Sequence, residues 1–277
     1  MEQASDLSRE LEVACALAQE GGALVLRYHE ARLLDPAALA VQMKAGDEPV
    51  TAADQAVNAL LVAGLSAAFP GDALLTEELP DDGSRLGAAR SWLVDPIDGT
   101  KDFIAGRPGF AVMIGLLREG QPALGVVYQP LGAVLYYAAA GQGAYRRRGG
   151  GPPERLRVST VPALQSVRMA SSASQPAPAV AGAQGPAEDE AIGSIGLRLS
   201  LIAAGERDLY ANPAGRVKLW DTCAPEVILR EAGGRLSDRR GAPLDYRGAE
   251  LSHRRGLIAS NGLVHEEAVE RLRTLLP

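Results

Sequence analysis

Cysteine, histidine and long apolar runs are scarce in this chain of 277 residues, and each scarcity excludes a class of protein. Two cysteines, Cys15 and Cys223, are too few for a disulfide framework, and Cys15 lies in an apolar helical stretch where a buried thiol is the ordinary expectation. The three histidines, His29, His253 and His265, are scattered, so no Cys/His spacing signals zinc. No apolar run approaches the ~20 residues of a spanning helix. The start, "MEQASDLSRELEVACALAQEGG", is acidic and amphipathic rather than a signal peptide, so a cytoplasmic location is expected. Basic clusters are short and set among glycines, "YRRRGGG" at 145–151 and "SDRRGAP" at 237–243, and read as solvated turns. With a formal net charge of −6, neither a nucleic-acid polymer nor a membrane surface is an expected partner. An acidic protein can still bind phosphates through metal ions.

What is present is enough for a sizeable core, since 47% of the residues are apolar. Helical spacing of Leu7, Leu11, Ala14, Leu24 and Leu26 predicts a helix over 5–31, with Gly21-Gly22 a weak point. The turn-rich loop "KAGDEPVTAAD" (44–54) leads into a second helix, about 51–69, capped by Thr51 with Asp54 in its first turn. "ALLTEE" (73–78) reads as a short strand, followed by a Gly/Asp-rich loop over 80–88, and "SWLVD" as a fully buried strand. Three strands separated by Gly and Pro turns fill 110–145. The Ala/Pro/Gly-rich stretch 175–190 is expected to be a loop or a poor helix. A helix near 196–205, the strand "DLYAN", the acid-bearing "KLWDTCAPEVILREAGG" and a last strand and helix complete the chain, without internal repeats. The alternation predicts a layered α/β sandwich of two halves, 1–145 and 146–277.

The stretch "WLVDPIDGTKDF" (92–103) carries the chemistry. Asp95 is expected to close a buried strand, where an unpaired carboxylate is costly to desolvate. Pro96 stops the strand from simply continuing, and Gly99-Thr100 suits a helix start with free N–H groups. Asp95 and Asp98 would then share a cavity and repel each other unless a cation lies between them. Glu77, Glu78 and Asp221 stand at comparable strand ends or helix starts. Ligands that are all oxygen select hard cations such as Mg²⁺, and two such ions can clamp a phosphate. The residues alone equally allow Asp95 and Asp98 to form an Asx turn, with Asp221 a helix cap.

Taken together, "EE", "WLVDPIDGTKDF" and "WDTCAPEVILREAGGRLSD" resemble the lithium-sensitive, magnesium-dependent superfamily of inositol monophosphatases across roughly 44–262. Within it they look most like 3′(2′),5′-bisphosphate nucleotidases. The resemblance implies an αβαβα sandwich and hydrolysis of the 3′-phosphate of adenosine 3′,5′-bisphosphate. It implies two or three Mg²⁺ ions held by Glu77, Asp95, the carbonyl of Ile97, Asp98 and Asp221, with Asp95 bridging two. Thr100, hydrogen-bonded to Asp54, would orient and help deprotonate water. Gly99 and Thr100 would hold phosphate oxygens, and Gly196, Arg198 and Asp221 would face the substrate.

Around this set, Glu78 is expected to support the ligands, Lys44 either to lean toward the site or to be solvated, and Lys101 and Asp102 to face away. Trp220 is expected behind Asp221 as core. Arg198 either grips a second phosphate bidentately or is solvated. The nucleotidases' Arg-Ser-His-like string is replaced here by "MASSASQP" (169–176), and the acid that inositol monophosphatases place after the Tyr near 210 is replaced by Asn212. An inositol phosphate, fructose 1,6-bisphosphate or another sugar phosphate is therefore the alternative substrate. A regulator that binds metal or phosphate without turnover would not need the complete ligand set and the Thr–Asp pair. The resemblance also makes a homodimer one available assembly.

Overall fold

A computed structural model of the chain describes residues 6–44, 48–171, 192–213 and 217–275. The stretch 175–190 lies outside the described residues.

A long helix, α1 (Ser8–Leu34), and a small antiparallel pair, β1 (Gln42–Met43) with β2 (Pro49–Val50), precede helix α2 (Ala52–Ala68). Strands β3 (Ala73–Thr76) and β4 (Arg90–Asp98) follow, then the short helix α3 (Thr100–Ala105). The strands β5 (Ala111–Arg118), β6 (Gln121–Gln129), β7 (Val134–Ala139), β8 (Gly143–Arg148) and β9 (Glu154–Arg155) form a meander. Helix α4 (Ile195–Ala203) and strands β10 (Leu209–Asn212) and β11 (Val217–Lys218) lead into α5 (Leu219–Glu231). Strands β12 (Arg235–Ser237), β13 (Ser252–His253) and β14 (Leu257–Ser260) and helix α6 (His265–Leu275) close the fold.

These elements stack in five layers. A seven-stranded sheet, in the order β3-β4-β5-β6-β7-β8-β9, has β3 parallel to β4 and its other neighbours antiparallel. Period-2 alternation along β5 divides its side chains between two cores. Val112, Ile114 and Leu116 join residues of α1 and α2 on one face, while Ala111 and Met113 join residues of α4 and α5 on the other. The three-stranded sheet β10-β14-β12 repeats the device. Tyr210, Leu257 and Ala259 face α4 and α5, and Leu209, Ala211 and Ile258 pack with Ala268 and Leu272 of α6. The result is the αβαβα sandwich, with α4 and α5 as the middle layer.

Gly21-Gly22 does not weaken α1, which runs through it. A Cβ on Gly21 would lie 3.2 Å from Val57 of α2, and one on Gly22 would lie 2.3 Å from the Tyr128 ring of β6. The glycines let the helix lie close on both, which offsets their helix cost of about 1 kcal/mol each.

Candidate active site

Strand β4 does not stop at Asp95. Its pairing with β5 runs Asp95↔Met113 and then Asp98↔Ala111, so β4 holds one residue more than its partner across this step. That bulge accommodates Pro96, which has no N–H to give a ladder, and carries the strand to Asp98. Asp95 Oδ1 accepts the Ile97 N–H at 3.0 Å, fixing one carboxylate oxygen locally. Gly99 then turns the chain into α3 at φ 94°, and a Cβ there would lie 2.5 Å from the Gly109 carbonyl oxygen, so only glycine fits. Thr100 Oγ1 lies 3.0 Å from the Ile97 carbonyl and 3.4 Å from Asp54 Oδ1.

Asp54 is positioned by the start of α2. Thr51 caps the helix, its hydroxyl accepting from the Ala53 and Asp54 N–H groups, while Asp54 Oδ2 accepts from the Thr51 N–H at 2.8 Å and hydroxyl at 2.6 Å. This reciprocal box leaves Asp54 Oδ1 toward Thr100. Burial pushes the Asp54 carboxyl up to about 6.

The remaining acids arrive from three other elements. Glu77 follows β3, and Lys44 Nζ reaches it at 3.1 Å and Glu78 at 2.5 Å. Asp98 Oδ2 accepts the Ser194 hydroxyl at 2.6 Å and the Gly196 N–H at 2.8 Å. Asp221, in the first turn of α5, accepts the Lys218 N–H on Oδ2 at 2.8 Å. Asp95, Asp98 and Asp221 thus each have a carboxylate oxygen held by the protein, and all three residues line the cavity. Asp95 meets the turn role and Asp221 the cap role open to them in the sequence, whereas Asp98 is held not by a turn but by Ser194 and Gly196 at the start of α4.

Their electrostatics describe a site short of positive charge. Burial, and then the charges of Glu77, Asp98 and Asp221, hold Asp95 well above the usual carboxylate range. Burial and the Asp98 charge do the same to Asp221. Burial raises Asp98 and pushes Glu77 up to about 7. A divalent cation among them would remove both the repulsion and the desolvation cost. Among the described residues no three His, Cys, Asp or Glu side chains converge tightly enough to cage an ion as they stand. Lys44 draws on the Glu77 carboxylate at one side of the group. The donor set is nonetheless all oxygen and fits a hard cation.

Glu77, Asp95, Ile97, Asp98, Gly99, Thr100 and Asp221 line one open cavity of about 460 Å³. The sequence profile of the Inositol monophosphatase family matches residues 6–276. The chain belongs to the inositol monophosphatase family. Curated relatives in it include a histidinol-phosphatase of Mycobacterium tuberculosis, 36% identical over 84% of this chain and 88% of that protein. A 3′(2′),5′-bisphosphate nucleotidase CysQ of Escherichia coli O157:H7 is 35% identical over 85% of this chain and 93% of its own length. Among solved structures, the extragenic suppressor protein suhB of Bartonella henselae superposes with a TM-score of 0.80 at 26% identity, covering 96% of this chain and 99% of that one. An inositol monophosphatase of Thermotoga maritima gives 0.78 at 26% identity, covering 96% and 98%. The family is one of metal-dependent phosphoric monoester hydrolases acting on small phosphate esters.

Within this family site, some residues stand elsewhere than the sequence suggests. Arg198 is neither on the cavity wall nor solvated. It is 3% exposed, donates to the Ser194 carbonyl at 3.1 Å and the Gly193 carbonyl at 2.9 Å, and lies 4.5 Å over the Tyr210 ring. Gly196 is not on the wall either. Its N–H holds Asp98, and a Cβ would run into Met113 Sδ at 2.2 Å. Lys101 and Asp102 also line the cavity. Asp102 is buried, accepts the Gly193 N–H at 2.7 Å and pairs with Arg107. Trp220 is largely buried yet also reaches the wall. Lys44 leans into the site rather than standing in solvent.

Glu48, Arg107, Lys218 and Ser194 were not singled out by the sequence. Glu48, Arg107 and Lys218 line the cavity, and Ser194 holds Asp98. Only Ser194 carries a local signal, a serine directly before the apolar run of α4, where it caps the helix by accepting the Leu197 N–H.

Proposed function

We propose that the chain is a Mg²⁺-dependent phosphomonoesterase that hydrolyses the 3′-phosphate of adenosine 3′,5′-bisphosphate, releasing AMP and phosphate. The observation that carries this reading is the meeting of five oxygen donors with the Asp54–Thr100 pair at one cavity. Glu77, Asp95, the Ile97 carbonyl, Asp98 and Asp221 would hold two or three Mg²⁺ ions. The ions would supply Lewis acidity, activating water and offsetting charge on the phosphate and the leaving oxygen. The Thr100 hydroxyl orients the attacking water, and Asp54 accepts the proton through it. A carboxyl pushed up to about 6 is a better base near neutrality than an ordinary one. The N–H groups of Gly99 and Thr100 bind phosphate oxygens. Asp221 comes from the half 146–277 and the other acids from 1–145, so the two halves act as one catalytic unit.

With Arg198 engaged inside the protein, a second phosphate falls to Lys101, Arg107 and Lys218 on the cavity wall. Two other ester classes keep the same chemistry. Glu48 on the same wall would suit an ammonium-bearing ester such as histidinol phosphate, the ester named by one curated relative. An inositol or sugar phosphate is the third substrate, in keeping with the inositol monophosphatases among the structural neighbours. Phosphate release at saturating Mg²⁺ from adenosine 3′,5′-bisphosphate, histidinol phosphate, inositol 1-phosphate and fructose 1,6-bisphosphate decides among them. The nucleotidase reading predicts a preference in kcat/KM of about tenfold or more for the nucleotide, about 1.4 kcal/mol in the transition state. A preference of that size for another ester overturns it.

A further inference from the structure

Beneath the first turn of α5 lies a chain of polar side chains that the proposed chemistry does not use. The Thr222 hydroxyl is buried directly after Asp221 and lies 2.8 Å from His253 Nε2 and 3.0 Å from the Tyr246 hydroxyl. The Tyr246 hydroxyl also lies 2.5 Å from Glu226 Oε2, one turn further along α5. The Tyr246 and His253 rings meet edge to face at 5.3 Å between centroids. The Thr222 hydroxyl also lies 3.3 Å from the Leu219 carbonyl of its own helix. Burial raises the Glu226 carboxyl and pulls the His253 imidazole down to about 4.

The same segment grips the backbone on which Asp221 depends. Strand β13 pairs with β11 in the register Val217↔His253 and Lys218↔Ser252, and the Leu219 N–H donates to the Leu251 carbonyl at 3.0 Å. Lys218 in turn supplies the N–H that orients the Asp221 carboxylate. The chain from Tyr246 and His253 through Thr222 therefore braces the turn that aims Asp221.

We propose that Thr222, Tyr246 and His253 are positioning residues for Asp221, setting the affinity of the site for its divalent cation. This rests on the reading of Asp221 as a metal ligand. Partners that hold a ligand in place typically change metal affinity by about 10–100-fold when removed. Neither Thr222 nor Tyr246 lines the cavity, so neither touches substrate.

The test is Mg²⁺ binding to the metal-free protein by calorimetry, with melting temperature measured alongside. Tyr246→Phe and Thr222→Val are expected to weaken Mg²⁺ binding by about tenfold, and Thr222→Ser, which keeps the hydroxyl, to bind like the wild type. Ser237→Ala removes a comparable buried hydroxyl, one 2.8 Å from His265 Nε2, and is expected to leave Mg²⁺ affinity unchanged. Asp221→Asn calibrates the measurement. If Asp221→Asn weakens binding while Tyr246→Phe and Thr222→Val lower only the melting temperature, the positioning role is overturned and the ligand reading stands. If Asp221→Asn itself binds normally, the ligand reading falls and the proposal with it. Should Thr222→Val fail to fold, Tyr246→Phe carries the comparison.

Discussion

Arg198 ties three groups together inside the protein: two carbonyls ahead of α4 and the Tyr210 ring of β10. Removing its guanidinium takes a donor from the Gly193 carbonyl, leaves the Ser194 carbonyl with only the residue-198 backbone N–H, and opens a void beside Tyr210. We expect Arg198→Ala to cost about 2–4 kcal/mol of stability, read as a lower denaturation midpoint. The ratio of kcat/KM for a bisphosphate over a monophosphate should stay unchanged. A selective loss on bisphosphates at normal stability would contradict this role. At this scale the sequence was legible where one short stretch supplies its own partners. Asp95, Ile97, Asp98, Gly99 and Thr100 are covered by a single motif, and the Thr51–Asp54 box by four consecutive residues. It was illegible where the partner is distant. Nothing near Lys44 announces Glu77 and Glu78, 33 and 34 residues away, and nothing in "SIGLRLS" reveals that the arginine is buried under Tyr210.

Elements show the same division. The apolar run of β4 and the cap of α2 carry strong local patterns and stand as expected, whereas the third of the three strands expected over 110–145 divides at the Gly141 turn (φ 78°) into β7 and β8. The bulge in β4 carries no such pattern, because a bulge is a relation between two strands and a proline alone does not say whether a strand ends or bends. The cap of α2 has a second task, since the oxygen of Asp54 not bound by Thr51 is the one facing Thr100. Thr51→Ala should therefore cost about 1 kcal/mol of stability, as for other lost caps. It should also lower kcat by more than it changes KM, because Asp54 loses its bond to the Thr51 hydroxyl. Steady-state kinetics on the folded variant check this. Unchanged kcat with reduced stability would leave Thr51 a cap alone.

At the scale of the whole molecule, the starts of α2 and α5 meet the ends of β3 and β4 at one place, and together they gather carboxyls that a metal-free protein tolerates poorly. Glu77 rises to about 7 and Asp54 to about 6 in the fold, against 4.5 and 3.8 as ordinary values. Between these limits the folded protein binds more protons than the unfolded chain, so its stability falls as pH rises. We expect the melting temperature of the metal-free protein to decline from about pH 5 to about pH 7.5. Mg²⁺ at one fixed concentration should raise it more at the higher pH, where the ionised acids bind the ion more tightly; a hundredfold excess over Kd adds about 2.7 kcal/mol of stability. A flat profile with equal Mg²⁺ effects would contradict a carboxylate cluster that needs a cation. The layered fold itself was legible from the alternation of elements. That these four termini converge was not, because chain separation says nothing of spatial meeting, and there the family resemblance had to stand in for geometry.

The most direct test of the central claim is phosphate release at saturating Mg²⁺ by the wild type and by Asp95→Asn, each with its preferred ester. Asp95 is 2% exposed and central to the acid group, and its amide would fold without the repulsion its carboxylate suffers. The account predicts a metal-free variant at least as stable as the wild type, with turnover lower by several orders of magnitude, because stabilisation of charge by metal dominates this chemistry. Turnover close to that of the wild type would mean that the acids at the end of β4 are not the catalytic centre.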